Sequence, residues 1–258
     1  MPTPSKWPDD FLQLRSPGIN FYVLRDTNGL YLIDGGFIGS PKLLAWALKQ
    51  VGWEREPLRG IVVTHGHLDH ILNVGWLAKH YGAWIAAPRL DADYYVGRHR
   101  YKGWSRITGV LESLGRVFLG FQRFTPDRLL DDGDQIDIWQ GLQAVHLPGH
   151  TPGHMGFYCE KLKLMFTGDL IVSYRGQAWY PPFFLNTDPK QNPKSAERVL
   201  TFDLEGVIPN HCDRSSASDH LRRLKRLLGR DPDFATEGTE VSERTGADGE
   251  KGGMGDGK

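Results

Sequence analysis

Short apolar runs alternate with polar turns through most of this chain, and a few longer stretches repeat apolar residues at helical spacing. FYVLR (21–25) and LYLI (30–33) flank DTNG, whose Asn-Gly pair favours a tight hairpin turn, so the chain opens with paired strands. In PKLLAWALKQVG, Leu44, Ala47, Leu48 and Val51 fall on one helical face, with Pro41 suited to the first turn and Gly52 to the stop. GIVVT predicts a strand, LDHILNVGWLAKHYG a helix from near Asp69 to Gly82, and AWIAA a further strand. Residues 88–130 change character; with helical periodicity in TGVLESLGRVFLGF they read as a helical insertion over one edge of whatever site the chain builds. QIDIW, LQAVHL, MGFYC and LKLMFTG then form an antiparallel run of strands. Residues 173–193 read as an aromatic loop. KSAERVL and a last helix, with Leu221, Leu224, Leu227 and Leu228 on one side, bracket the strand GVIP. The order is that of two mixed, β-rich halves, each ending in helices.

Composition narrows the class. With 258 residues and 40% hydrophobic content the chain has enough apolar mass for a globular core. Thirty-one basic and thirty-one acidic side chains cancel, so no global field draws it to nucleic acid or an anionic membrane. No uncharged apolar stretch approaches the ~20 residues of a membrane span, and no basic-then-apolar leader opens the sequence, so a cytoplasmic protein is expected. Cys159 and Cys212 are too few for a disulfide framework and are expected as buried free thiols. Residues 231–258 contain few large apolar side chains and are expected to be a disordered tail behind a domain spanning 1–230.

The chemistry concentrates in THGHLDH, Thr64 to His70, directly after an apolar strand. Taken alone it is either a histidine-rich turn or half of a metal site. A cation such as zinc takes imidazole nitrogen and carboxylate oxygen, and several ligands from one rigid loop cost little ordering entropy. His65 and His67 are two apart, so on extended backbone they point the same way, while Asp69 and His70 lie where a helix begins. That arrangement suits two adjacent ions. Metal-compatible residues also stand beyond other strands: His150 in PGHTPGH, Asp169 at the end of LMFTGD, and His211 after GVIPN.

With these motifs the chain resembles the metallo-β-lactamase superfamily over roughly residues 15 to 230: THGHLDH matches HxHxDH, PGHT the third histidine, GD the bridging aspartate and NH the last histidine. The resemblance implies an α/β (α+β) fold, a four-layer αββα sandwich of two mixed sheets flanked by helices. It implies that His65, His67 and His150 hold one divalent ion, that Asp69, His70 and His211 hold a second, and that Asp169 bridges them. Asp34, in IDGG, is expected to buttress the histidine loop. His154 is expected behind the ligands, where metal-bound imidazoles need their other nitrogen paired. His80, His99 and His220 are expected on the surface and His146 in a strand.

The implied activity is that of a metal-dependent hydrolase, most consistent with two zinc ions and with iron or manganese accepted by the same N/O set. A metal-bridging hydroxide would cleave an ester, thioester or lactone of a small organic substrate, with Asp69 and Asp169 as the catalytic carboxylates. A mononuclear iron persulfide dioxygenase and a phosphodiesterase of the same fold are the alternatives. Pocket walls are expected around 94–104 and 173–184, from Tyr101, Tyr174, Arg175 and Trp179, with Arg98 and Arg100 nearby. A small-molecule substrate is the expected partner; a homodimer is compatible with the sequence, and neither nucleic acid nor membrane is expected.

Overall fold

The computed structural model describes residues 8–99 and 101–231; the expected tail and Arg100 therefore lie outside the described residues, apart from Asp231. The first half builds a six-stranded sheet in sequence order. Its strands are β1 (Phe11–Ser16), β2 (Ile19–Asp26), β3 (Gly29–Ile33), β4 (Leu58–Val62), β5 (Trp84–Pro88) and β6 (Arg128–Leu130). β1 to β3 pair antiparallel and β3 to β6 parallel, because α1 (Ser40–Val51) and the helical segments after β4 carry the chain across between parallel neighbours. Those segments are α2 (Leu68–Ile71) and α3 (Val74–Tyr81), then α4 (Ala92–Tyr95) and α5 (Arg106–Phe118) between β5 and β6.

The second sheet runs β11 (Gln177–Trp179), β10 (Leu164–Tyr174), β9 (Met155–Cys159), β8 (Leu142–His146) and β7 (Gln135–Ile136), all antiparallel. β12 (Gly206–Cys212) adds to β10 in parallel after the crossover α6 (Asn192–Val199), and α7 (Ala217–Leu227) closes the described chain. Both sheets are thus mixed.

Side-chain alternation places the layers. On β2, Phe21 and Val23 face the α1 and α3 side while Tyr22 and Leu24 face the other sheet; on β10, Phe166 faces the first sheet and Met165 faces α6 and α7. Three apolar cores result: helices on the first sheet, sheet on sheet, and the second sheet on α6 and α7. That is the four-layer αββα sandwich expected from the motifs. Each fully buried Leu, Val or Phe stabilises it by roughly 1.5–3 kcal/mol.

Several local expectations need correction. The helix expected to run from Asp69 to Gly82 is broken in two, because the His70 carbonyl accepts the Gly35 N–H instead of continuing the helical ladder. The Asn73 amide, at the break, donates to the carbonyls of Gly35, Gly36 and Phe37 and so ties the two loops together. Val51, expected on the buried face of α1, is exposed in its last turn. The stretch 173–193 is not one loop: β10 continues to Tyr174 and turns through Arg175 and Gly176, both at positive φ, into β11. Asp169 therefore sits within a strand rather than at its end, where β10 bulges against β12. Gly168 carries that bulge at φ 54°, and a Cβ there would come within 2.6 Å of His154 Nε2. His220 is buried rather than on the surface, its Nδ1 2.7 Å from Ser173 Oγ beneath α7. His99 is half-buried and stacks on Tyr94 with ring centroids 3.6 Å apart. His80 is exposed and His146 ends β8. Both cysteines are buried free thiols.

Candidate metal centre

The site forms where loops after β3, β4, β8 and the bulged β10 converge on β12. The loop after β4 is anchored from below by Asp34, a fully buried carboxylate at φ 63°. Its Oδ1 accepts the Thr64 N–H, and its Oδ2 accepts the Thr64 hydroxyl, His70 Nδ1–H and Asn210 Nδ2–H, each at 2.8 Å. The left-handed backbone is the strained part of that arrangement, and four hydrogen bonds hold it. This is the buttress expected of Asp34. Gly66 lies tight against the Tyr94 side chain, which leaves no room for a Cβ between His65 and His67.

His65, His67 and His150 offer ligand atoms that all lie within 4.8 Å of one another, and all three are buried. Burial, followed by repulsion between the imidazoles, pushes His150 down to about 3; burial likewise takes His67 to about 4 against the pull of Asp69 and Asp169. His65 lies well below its ordinary value for the same reason. At neutral pH this corner therefore presents uncharged imidazole lone pairs.

Asp69, His70, Asp169 and His211 form the second group, again with ligand atoms within 4.8 Å of one another. Burial lowers His70 and His211, but the carboxylates of Asp169 and Asp69 outweigh it and lift them to about 10 and about 12. Burial raises Asp69, yet His70 and His211 bring it down to about 2. Asp169 stands between the two groups, with Oδ2 3.0 Å from His211 Nε2 and 3.5 Å from His150 Nε2, and Oδ1 3.2 Å from His70 Nε2.

The ring orientations test whether these residues fit a metal. His65 Nδ1 is 3.0 Å from Thr64 Oγ1, His70 Nδ1 2.8 Å from Asp34 Oδ2, His150 Nδ1 3.0 Å from Asn186 Oδ1, and His211 Nδ1 2.8 Å from the Gly18 carbonyl. Each outward nitrogen is held as a donor, which turns each Nε2 inward, as a lone pair on the neutral His65 and His150 and as a protonated nitrogen facing Asp169 on His70 and His211. Nε2 of His65 and Nε2 of His150 are buried without a hydrogen-bond partner. Orphaned acceptors of this kind cost free energy unless something electrophilic satisfies them, so the residues fit a divalent cation.

His154 does not pair with a ligand imidazole as expected. Its Nδ1 bonds the Leu147 carbonyl at 2.9 Å and its Nε2 accepts the Asp169 backbone N–H at 3.0 Å, so it fixes the bulge that carries Asp169. Three supporting residues escaped sequence reasoning. Asp91, fully buried, accepts from Gly66 N–H, Gly153 N–H and the Thr151 hydroxyl, and so joins the His65–His67 loop to the His150 loop. Asn186 gives its amide protons to the Pro181 and Pro182 carbonyls, which turns its Oδ1 toward His150. Glu112 of α5 accepts the Leu68 N–H, the Tyr101 hydroxyl and an Arg116 N–H. None of these sits in a motif, since each reaches the site only through the fold.

A cavity of about 430 Å³ opens over the centre, with His67, Asp69, His150, Asp169 and His211 at its floor. Its walls come from Phe37, Leu68, Thr108, Leu111, Leu119 and Leu185 beside Glu112, and among the described residues no lysine or arginine lines it. The expected walls are thus corrected in part. The insertion does cover the site, through α5. Tyr174, Arg175 and Trp179 lie outside the lining, because the β10–β11 turn carries them off the far end of the strand. Tyr174 instead receives a hydrogen bond from Arg15. Tyr101 is a prop: its hydroxyl donates to Glu112 at 2.6 Å and its ring stacks over His67.

Comparison with known proteins places this arrangement. The model of the metallo-beta-lactamase superfamily matches residues 16–235. Hydroxyacylglutathione hydrolase GloC of Haemophilus influenzae is 32% identical over 117 residues, 44% of this chain and 50% of that protein. This chain thus spans about half the length of that relative. The probable metallo-hydrolase YflN of Bacillus subtilis is 22% identical over 235 residues, covering 82% of this chain and 87% of that one. Among solved structures, a metallo-beta-lactamase family protein from Thermus thermophilus superposes with a TM-score of 0.65 at 19% identity, over 94% of this chain and 84% of that one. A protein crystallised in a di-iron-bound form gives 0.59 at 26% identity, over 81% and 96%.

Proposed function

Because the chain belongs to the metallo-beta-lactamase superfamily, we propose that it is a metal-dependent hydrolase that cleaves an ester, thioester or lactone of a small, largely apolar substrate. The observation that carries this reading is the convergence of His70, His150 and His211 Nε2 on the Asp169 carboxylate, within 3.5 Å, with the buried Nε2 atoms of His65 and His150 left without a hydrogen-bond partner. His65, His67 and His150 would hold one divalent ion, and Asp69, His70 and His211 a second, with Asp169 shared. Zinc suits this N/O set, as do iron and manganese, and a relative solved with two irons supports a two-ion centre. When bound, such ions supply Lewis acidity toward a carbonyl oxygen and acidify water toward neutral pH.

The chain's own groups do the rest. Asp69 stays ionised at neutral pH at the cavity floor, with Oδ2 3.3 Å from His211 Nε2, placed to accept a proton from the attacking water. The apolar walls exclude bulk solvent and bind the substrate's organic part. They also favour an uncharged substrate: the carboxylates of a glutathione thioester would meet no lysine or arginine of the described residues in this lining. The test combines elemental analysis of purified protein with turnover of a panel of esters, thioesters and lactones by the wild type and Asp169→Ala. Full activity in the variant, or protein without metal that turns over the panel equally well, would overturn the reading.

A further inference from the structure

α5 has two apolar faces. One lines the cavity through Thr108, Leu111 and Leu119 at and beyond its end. The other looks outward: Val110 is 62% exposed, Val117 77% and Phe118 80%, with Ile107 and Leu114 also open to solvent. Trp104 and Phe183, packed edge to face, extend this surface alongside the helix. Scattered exposed apolar residues are ordinary, but a continuous face on one helix is not. Leu111 belongs to both surfaces, so the patch runs into the mouth of the cavity.

Charge around the patch departs from the neutral whole. From Arg98 to Arg123 the sequence holds six basic residues and a single acidic one, Glu112. Glu112 is buried and bonded to Tyr101 and Arg116, which leaves Arg98, Lys102, Arg106 and Arg123 exposed, with Lys102 two residues from Trp104 and Arg106 beside Val110 and Leu114. An exposed apolar helix face with Lys102 and Arg106 beside it has the makeup of an interfacial helix: the side chains enter the acyl boundary and the cations meet anionic headgroups. A second copy is a poorer occupant, since a two-fold contact would set each cationic rim against its own counterpart.

We propose that the α5 face docks on an anionic phospholipid surface, with the cavity mouth turned toward the lipid. This departs from the sequence-level expectation of no membrane contact, which rested on a net charge that averages the cluster away. It involves no spanning segment: among the described residues no helix is long and apolar enough to cross a membrane. The proposal is independent of the hydrolase reading, because docking is measured without turnover.

The experiment is vesicle flotation of the full-length protein, with equal mixtures of phosphatidylcholine and phosphatidylglycerol against phosphatidylcholine alone. The wild type is expected to partition at least ~10-fold more strongly to the anionic vesicles at low ionic strength, and to lose that preference in high salt. Lys102→Gln with Arg106→Gln should lower partition about tenfold. Val117→Glu with Phe118→Glu should abolish it while circular dichroism stays unchanged. Equal partition to both vesicles, or undiminished binding by the glutamate variant, would overturn the proposal. So would a wild-type dimer that the same glutamates dissociate and that ignores vesicles. The salt and headgroup dependence of the wild type decides the matter even if a variant misfolds.

Discussion

The two halves of the metal centre use the same residue types to opposite electrostatic ends. His65, His67 and His150 face one another with few carboxylates between them, and burial keeps them neutral. His70 and His211 are also desolvated, yet two aspartates hold protons on them. The first half is therefore a set of lone pairs already poised for a cation, while the second keeps its charge balanced with protons until a cation displaces them. One loop supplies residues to both. The position of each side chain relative to Asp169 and Asp69, rather than its identity, decides which behaviour it shows.

Asp169 is where the comparison can be broken most completely, since its two oxygens touch His70 on one side and His150 and His211 on the other. Asp169→Asn keeps the shape and removes the shared charge. The expected result is one bound ion per chain in place of the two proposed and a fall in hydrolytic turnover of about 10³-fold or more. Two ions bound with the wild-type rate would show that the halves do not depend on this carboxylate.

Metal uptake as a function of pH sharpens the contrast. At neutral pH His67 and His150 of the first group, at about 4 and about 3, are neutral imidazoles with no extra proton to release, so affinity there should change little between pH 6 and 8. His70 and His211, at about 10 and about 12, are protonated in that window and must each lose a proton to bind. Affinity at the second group should therefore rise with pH, and titration calorimetry in buffers of different ionisation enthalpy should find about two protons released by the weaker ion and about none by the tighter one. Equal proton release by both ions would erase the distinction.

How far this was readable beforehand follows from the physics of each part. Nine strands and α1 were legible because their apolar spacing matches the period of the element, and the seven metal-compatible residues because they cluster in short motifs; β1, β6 and β11 were not legible, the last two because three residues are too few to show a period. The break between α2 and α3 was not legible: it depends on the Gly35 N–H reaching the His70 carbonyl from another loop. Nor were the cavity walls. Tyr174 and Trp179 looked suitable by type and by nearness to Asp169, but a two-residue turn at Arg175 and Gly176 leads them away from the opening. The residues that do form the walls come from ordinary apolar positions of α5, which carry no chemical signature.

Smaller effects should separate the halves by their supports. Of the candidate ligands Asn186 bonds His150, and Asn186→Ala should weaken the tighter ion by about 10–100-fold while leaving the proton-coupled one nearly unchanged. Asp34 holds His70 and the Thr64 backbone together, so Asp34→Ala should weaken the proton-coupled ion and also cost about 3–5 kcal/mol of stability, because four donors lose a buried acceptor. Metal titration with urea unfolding of the metal-free proteins distinguishes the two patterns. Identical losses at both ions from Asn186→Ala would mean that the halves are mechanically one unit.

His220 offers the smallest effect on the site and a control outside both groups. Burial, with Arg223 beside it, takes His220 from its ordinary range down to about 4, while Ser173 meets its Nδ1. A histidine depressed in the folded state is neutral in both states above about 6.5 and binds its proton more readily when unfolded below that. Stability is then lost as pH falls from about 6.5 toward 4, by about 3 kcal/mol from this group. His220→Gln removes that titration, so between pH 7 and 4 the variant should lose about 3 kcal/mol less than the wild type in urea unfolding, with metal content and turnover unchanged. An acid limb of the same steepness in both proteins would assign the loss to the metal-centre histidines instead.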